Sequence, residues 1–110
     1  MPVTPPALSD EDQDAKALNR VLNSKERDFG NLAGGGYEQL YKDVKVDGGV
    51  LTVMLPPEDG YSSSVTAYVD DFGVVTEVVL SAYDNDVDVE REVAPDSVIW
   101  EAMQALVERN

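Results

Sequence analysis

The chain has 110 residues, with 22 acids against 8 bases and neither cysteine nor histidine. That length makes one domain able to bury roughly 65% of its unfolded surface; the missing side chains exclude disulfides, thiolate metal sites, cysteine nucleophiles and histidine general bases. A net charge of −14 repels nucleic acids and anionic membranes and attracts basic proteins, so the expected partner is a basic protein surface.

The charge is uneven. Nine acids and six bases lie up to Asp47, whereas thirteen acids and two bases follow from Gly48 onward. Three readings fit: dispersal by net charge, adaptation to salt (thirteen Asp, four Lys), or a functional negative face. A polar, acidic start and no apolar run approaching about 18 residues argue against a signal peptide or membrane span, and the expected location is the cytoplasm.

Residues 1–8, with three prolines, read as a flexible arm ahead of a single domain over 9–110. Ser9 is an N-cap candidate, with Asp12 three residues on and Asp10, Glu11 and Asp14 nearby to favour the positive end of a helix dipole. Ala15, Leu18, Val21 and Leu22 form one apolar stripe at helical spacing. Lys25 to Phe29 either continues this helix or makes a turn, with Gly30 as the stop. Gly34-Gly35-Gly36 reads as a connector, since no strand precedes it and no Gly-Lys-Ser/Thr follows. Tyr37, Leu40, Tyr41 and Val44 share helical spacing and suggest a helical turn, although Tyr and Val also suit strands.

Val44 to Val46, Asp47-Gly48-Gly49 and Val50 to Leu55 make a hairpin. Pro56-Pro57 is expected to end its second strand, and Pro57 to Ser64 to form a polar loop around Tyr61. A third strand follows over Val65–Val69, a turn at Asp70-Asp71-Phe72-Gly73, and a fourth over Val74–Tyr83. Its two sides are Val74, Thr76, Val78, Leu80, Ala82 and Val75, Glu77, Val79, Ser81, Tyr83. Neither is cleanly polar, so this strand is expected to be central and covered on both faces for part of its length. After a turn at Asp84-Asn85-Asp86, the fifth strand, Val87–Val93, alternates valines with Asp88, Glu90 and Glu92, as an edge strand protected by charge does. Asp96 is expected to cap a last helix, whose stripe of Val98, Ile99, Ala102, Met103, Leu106 and Val107 covers the sheet with Trp100 beside it. The fold class expected is α+β: an N-terminal helix, a meander-like antiparallel sheet of about five strands, and a C-terminal helix on one sheet face.

No catalytic constellation emerges. Asp84, Asp86 and Asp88 begin like a calcium loop, yet Val89 and Pro95 stand where glycine and a bidentate glutamate belong. No acid sits in an evidently apolar setting that would raise its pKa for glycosidase chemistry, and Ser62-Ser63-Ser64 lacks a histidine to activate a hydroxyl. A non-enzymatic protein without cofactor or metal is expected.

Met54-Leu55-Pro56-Pro57-Glu58 and Ala82-Tyr83-Asp84, about eight residues, resemble pieces of the uracil-DNA glycosylase inhibitor family. Those are small acidic phage proteins that mimic DNA with a sheet and helices. The chain departs from that family in carrying Val50-Leu51-Thr52-Val53 where its acidic Glu-Ser strand stands, and in helix placement.

The leading expectation is a non-catalytic acidic binding or inhibitor protein occupying a basic surface, such as that of a nucleic-acid-binding enzyme. Immunity proteins and phage-type anti-defence or nucleic-acid-mimic proteins are of this kind. Asp84, Asp86, Asp88, Glu90, Glu92, Asp70 and Asp71 are the candidate contact acids, with Tyr61 and Tyr83 as aromatic anchors. The alternatives are a secretion-chaperone-like or structural dimer holding an apolar client segment, and a halophile domain whose acidity serves solubility.

Overall fold

A computed structural model describes residues 10–32, 36–84 and 87–109, with side chains from residue 15 onward. The expected arm, the Ser9 cap with its neighbouring acid side chains, Gly34-Gly35 and Asp86 lie outside that range. The architecture is α+β: helix α1 (Asp10–Asn31), a short 3-10 helix (Tyr37–Leu40), strands β1 (Asp43–Asp47), β2 (Val50–Glu58), β3 (Tyr61–Val69), β4 (Val75–Tyr83) and β5 (Asp88–Glu92), and helix α2 (Val98–Arg109). The strands form one antiparallel sheet in sequential order.

Helix α1 passes through Gly30 and ends one residue later. Gly30 weakens a helix interior, but Phe29 is buried against Tyr37 and Tyr41, and that packing outweighs local propensity. Leu18, Val21 and Leu22 are buried as the stripe requires. Ile99, Ala102, Met103 and Leu106 complete the helix layer from α2. Trp100 is half-buried and packs against this core. Ser97, not Asp96, caps α2: its Oγ accepts the Ile99 N–H at 3.2 Å.

Three local devices set the sheet. Between β1 and β2, Gly48 and Gly49 both have positive φ (54° and 87°), the geometry of a tight two-residue hairpin. A Cβ on Gly49 would also stand 3.1 Å from the Val69 carbonyl oxygen. Gly49→Ala is therefore expected to destabilise the fold by about 1–3 kcal/mol, read as a lower urea midpoint.

The second device corrects two expectations. Strand β2 does not end at Pro56-Pro57 but runs to Glu58, with a register shift between Leu55 and Glu58. β1 reaches only as far as the Asp43–Met54 pair, so the prolines lie where β2 has no β1 partner and needs no donor on that side. The Pro56 carbonyl accepts a 3.0 Å hydrogen bond from the buried Lys25 ammonium of α1. Asp59 and Gly60, both with positive φ (54° and 83°), then close a second tight hairpin. Residues 61–64 are thus the start of β3 rather than a loop.

A bulge is the third device. Tyr68 pairs with Glu77 but Val69 with Val75, leaving Thr76 as the extra residue, its hydroxyl donating to the Tyr68 carbonyl at 3.2 Å. The parity of β4 flips there. Val75, not Val74, joins Val78, Leu80 and Ala82 under the helices; Val74 and Thr76 are exposed.

Candidate functional site

Burial alternates along β2 as far as Leu55 and along β4 beyond its bulge, while Ser63, Ser64 and Val65 of β3 are buried in succession; the buried apolar set (Leu51, Val53, Leu55; Val65, Ala67; Val78, Leu80, Ala82) lies on the face packed by both helices. On the other face no described element covers the sheet. β4 is therefore not layered on both sides as expected; Val79, Ser81 and Tyr83 are half-buried by their neighbours within the sheet alone.

On this open face β5 presents Asp88, Glu90 and Glu92, opposite Tyr83, Ser81 and Val79 of β4. All three acids are exposed. The one base of β5 points the other way: Arg91 donates to Asn23 Oδ1 at 2.7 Å and Asn19 Oδ1 at 3.1 Å, and pairs with Glu26 at 3.1 Å, all on α1. The open side of β5 is consequently acidic, with no counter-charge paired to it among the described residues. Successive acids two residues apart are about 6.6 Å apart along the strand, inside the Debye length of about 8 Å at physiological salt, so they act on an approaching cation together.

Tyr83 lies on the same face and reaches across β3, its hydroxyl 3.9 Å from Met54 Sδ. Ser64, Ser81, Tyr83, Asp84, Asp88 and Glu90 border a shallow depression of about 420 Å³. The Asp84 carboxylate also accepts the Val87 N–H at 2.9 Å. Among the described residues no three acids come together as a metal site.

The remaining candidates lie elsewhere. Asp70 accepts the Phe72 and Val74 N–H groups, both at 2.9 Å, so its carboxylate builds the β3–β4 turn, with Asp71 exposed beside it. That turn is at the opposite end of β4 from Asp84, about 30 Å away along nine residues. Tyr61 is half-buried and packs on the core from the helix side. Two residues went unnamed as contacts in the sequence reading. Glu77 extends the acidic line of the open face beside Glu92; its alternation with Val79 and Ser81 was the available signal. Phe72, 91% exposed, is held at the turn tip by the Asp70 carboxylate, a turn that the Asp-Asp-Phe-Gly run announces.

On the helix side, Tyr37, Tyr41, Ala105 and Leu106 border a cavity of about 240 Å³, with the Glu38–Arg109 ion pair at its rim. The Tyr41 hydroxyl is buried without a hydrogen-bond partner. Burial, reinforced by the neighbouring Tyr37, raises its pKa from 10.0 to about 12. The folded state therefore keeps the proton that the unfolded chain releases near pH 10, so this group's contribution to stability is complete below about pH 10 and lost as pH rises toward 12. Tyr41→Phe is expected to flatten that alkaline decline and to leave neutral-pH stability within about 1 kcal/mol, measured by urea titrations across pH.

Among the described residues no helix is long and apolar enough to cross a membrane. Comparison with protein-family models, with curated proteins and with solved structures finds no match. The two short pieces that resemble the uracil-DNA glycosylase inhibitor family lie in β2 and at the end of β4, joined by the Tyr83–Met54 contact.

Proposed function

We propose that the open sheet face along β5 binds a basic surface of a partner protein, and that the chain is a non-catalytic acidic binding or inhibitor protein acting in the cytoplasm. An immunity protein against a toxin nuclease, or a phage-type anti-defence or nucleic-acid-mimic protein, is the kind of molecule this describes. One observation carries the reading: Asp88, Glu90 and Glu92 stand exposed on an uncovered face while Arg91, the only base of the strand, is held by α1. Edge protection accounts for charged side chains on this strand, but not for the acids alone standing on its open side. Tyr83, with its apolar ring between the acids and Met54, supplies the aromatic contact that such interfaces favour.

Capture from a host lysate on the immobilised chain at low salt, followed by a salt gradient, tests this. A partner with a basic surface eluting below about 0.5 M salt is expected, because exposed ion pairs weaken steeply with screening. Retention through high salt would instead indicate burial of apolar area and an apolar client.

A further inference from the structure

The sheet has a second edge, and it is built differently. All five residues of β1 are exposed. Val44 and Val46, on the helix side, are 36% and 62% exposed, and Val46 borders a depression that reaches Val107 at the end of α2. The Val44 N–H bonds not to β2 but to the carboxylate of its own neighbour Asp43, at 2.9 Å; it is an outward donor of a free sheet edge. Lys45 and the adjacent Lys42 have no ion-pair partner among the described residues. In the most acidic half of the molecule the edge is acidic throughout its open side; here the order is Asp43-Val44-Lys45-Val46-Asp47, alternating in sign on one face and apolar on the other.

We propose that β1 pairs antiparallel with β1 of a second copy of this chain, about a two-fold axis through Val44, making one continuous ten-stranded sheet. In this register Asp43 stands opposite Lys45 of the second copy and Lys45 opposite its Asp43, while Val44 meets Val44. The outward Val44 N–H exchanges the Asp43 carboxylate for a backbone carbonyl, and the freed carboxylate meets a lysine. On the helix side, Val44 covers Val44 of the second copy, while Val46 lies diagonal to it and opposite Lys42. Shifting the axis to Lys45 sets lysine against lysine and Asp43 against Asp47. Pairing β1 with β5 of another copy sets Asp43 and Asp47 against the acids of the open face, and such a head-to-tail contact would not close. Charge complementarity therefore selects a closed dimer; an axis through Val46 would also oppose Lys45 to Asp47, but it sets Val44 against Gly48 of the turn, so the outward Val44 N–H places the axis at Val44. Two short strands bury little area, so the association is weak, and it leaves both β5 edges free at the ends of the joined sheet. It does not depend on the β5 reading.

Sedimentation equilibrium of the full chain from about 10 μM to about 1 mM, in about 0.3 M salt to shorten the reach of the net repulsion to about 6 Å, tests the pairing. A monomer–dimer equilibrium is expected. Lys45→Asp should raise its dissociation constant about tenfold or more by placing acids opposite acids. Asp43→Lys with Lys45→Asp, which has the net charge of the natural chain, should restore it to within about threefold. A chain that stays monomeric throughout, or a dimer indifferent to Lys45→Asp, overturns the proposal. So does a double variant as weak as the single one. All these positions are exposed, and circular dichroism confirms that each variant is folded.

Discussion

Phe29→Ala is expected to remove about 3–5 kcal/mol of folding stability, a large share of the roughly 5–15 kcal/mol available to a domain of this size. Phe29 is 1% exposed and sits in the last turn and a half of α1, with ring centroids of Tyr37 and Tyr41 at 6.1 and 6.2 Å. Leu40, Leu55 and Pro56 close around the same spot. Truncation would cost the transfer energy of a buried ring and leave a void bounded by three separate elements, which cannot all move inward together. Leu32→Ala, half-buried at the helix end, should cost under about 1.5 kcal/mol. A urea midpoint that falls with unchanged slope would confirm the Phe29 result; a loss below about 1 kcal/mol would mean that the end of α1 is not part of the core.

The second large effect concerns binding. Reversing Asp88, Glu90 and Glu92 to lysine is expected to weaken association with the captured partner by about a hundredfold or more at low salt, mostly through slower encounter and weaker contact pairs. The same reversal should leave stability within about 1 kcal/mol, because the three side chains are exposed and single surface changes are usually small. It also lowers the overall repulsion, since three reversals of two charges each bring the net charge from −14 to −8. Tyr83→Ala should weaken binding less steeply with salt, since its contribution is area rather than charge.

Much of this was legible before the structure. The hairpin at Asp47-Gly48-Gly49, the turn at Asp70 to Gly73, the alternation of β5 and the stripe of α2 all have local chemical causes, and local causes can be read from a single sequence. The misreadings share a different origin. Pro56-Pro57 reads as a strand end until a register shift and the lack of a neighbouring strand make both prolines harmless. Ser62-Ser63-Ser64 is polar enough to suggest a loop, yet Ser63 is 0% exposed, because the strand it sits in is fixed by Asp59-Gly60 behind it and Val65 ahead. One extra residue at Thr76 exchanged Val74 for Val75 at the core. Each of these depends on what lies across the sheet, which pattern alone does not carry.

The site divides in the same way. Alternation already put Asp88, Glu90 and Glu92 on one side of β5. That α1 and α2 both pack on the opposite side, and that Arg91 turns toward Asn19, Asn23 and Glu26, are facts of tertiary packing. They convert an acidic strand into an uncovered acidic surface. They also separate it from Asp70, whose carboxylate is engaged in its own turn, and from Tyr61, which belongs to the core side.

The most direct test of that surface compares two variants of equal charge. One carries lysine at Asp88, Glu90 and Glu92; the other carries lysine at Asp96, Glu101 and Glu108, exposed acids in and just before α2. Binding of each to the captured partner is measured against salt. Loss confined to the β5 variant, with the α2 variant close to the natural chain, is the predicted result. Equal loss in both would show that net charge alone acts, and loss in neither would show that the acids do not bind; either outcome contradicts a binding face on β5.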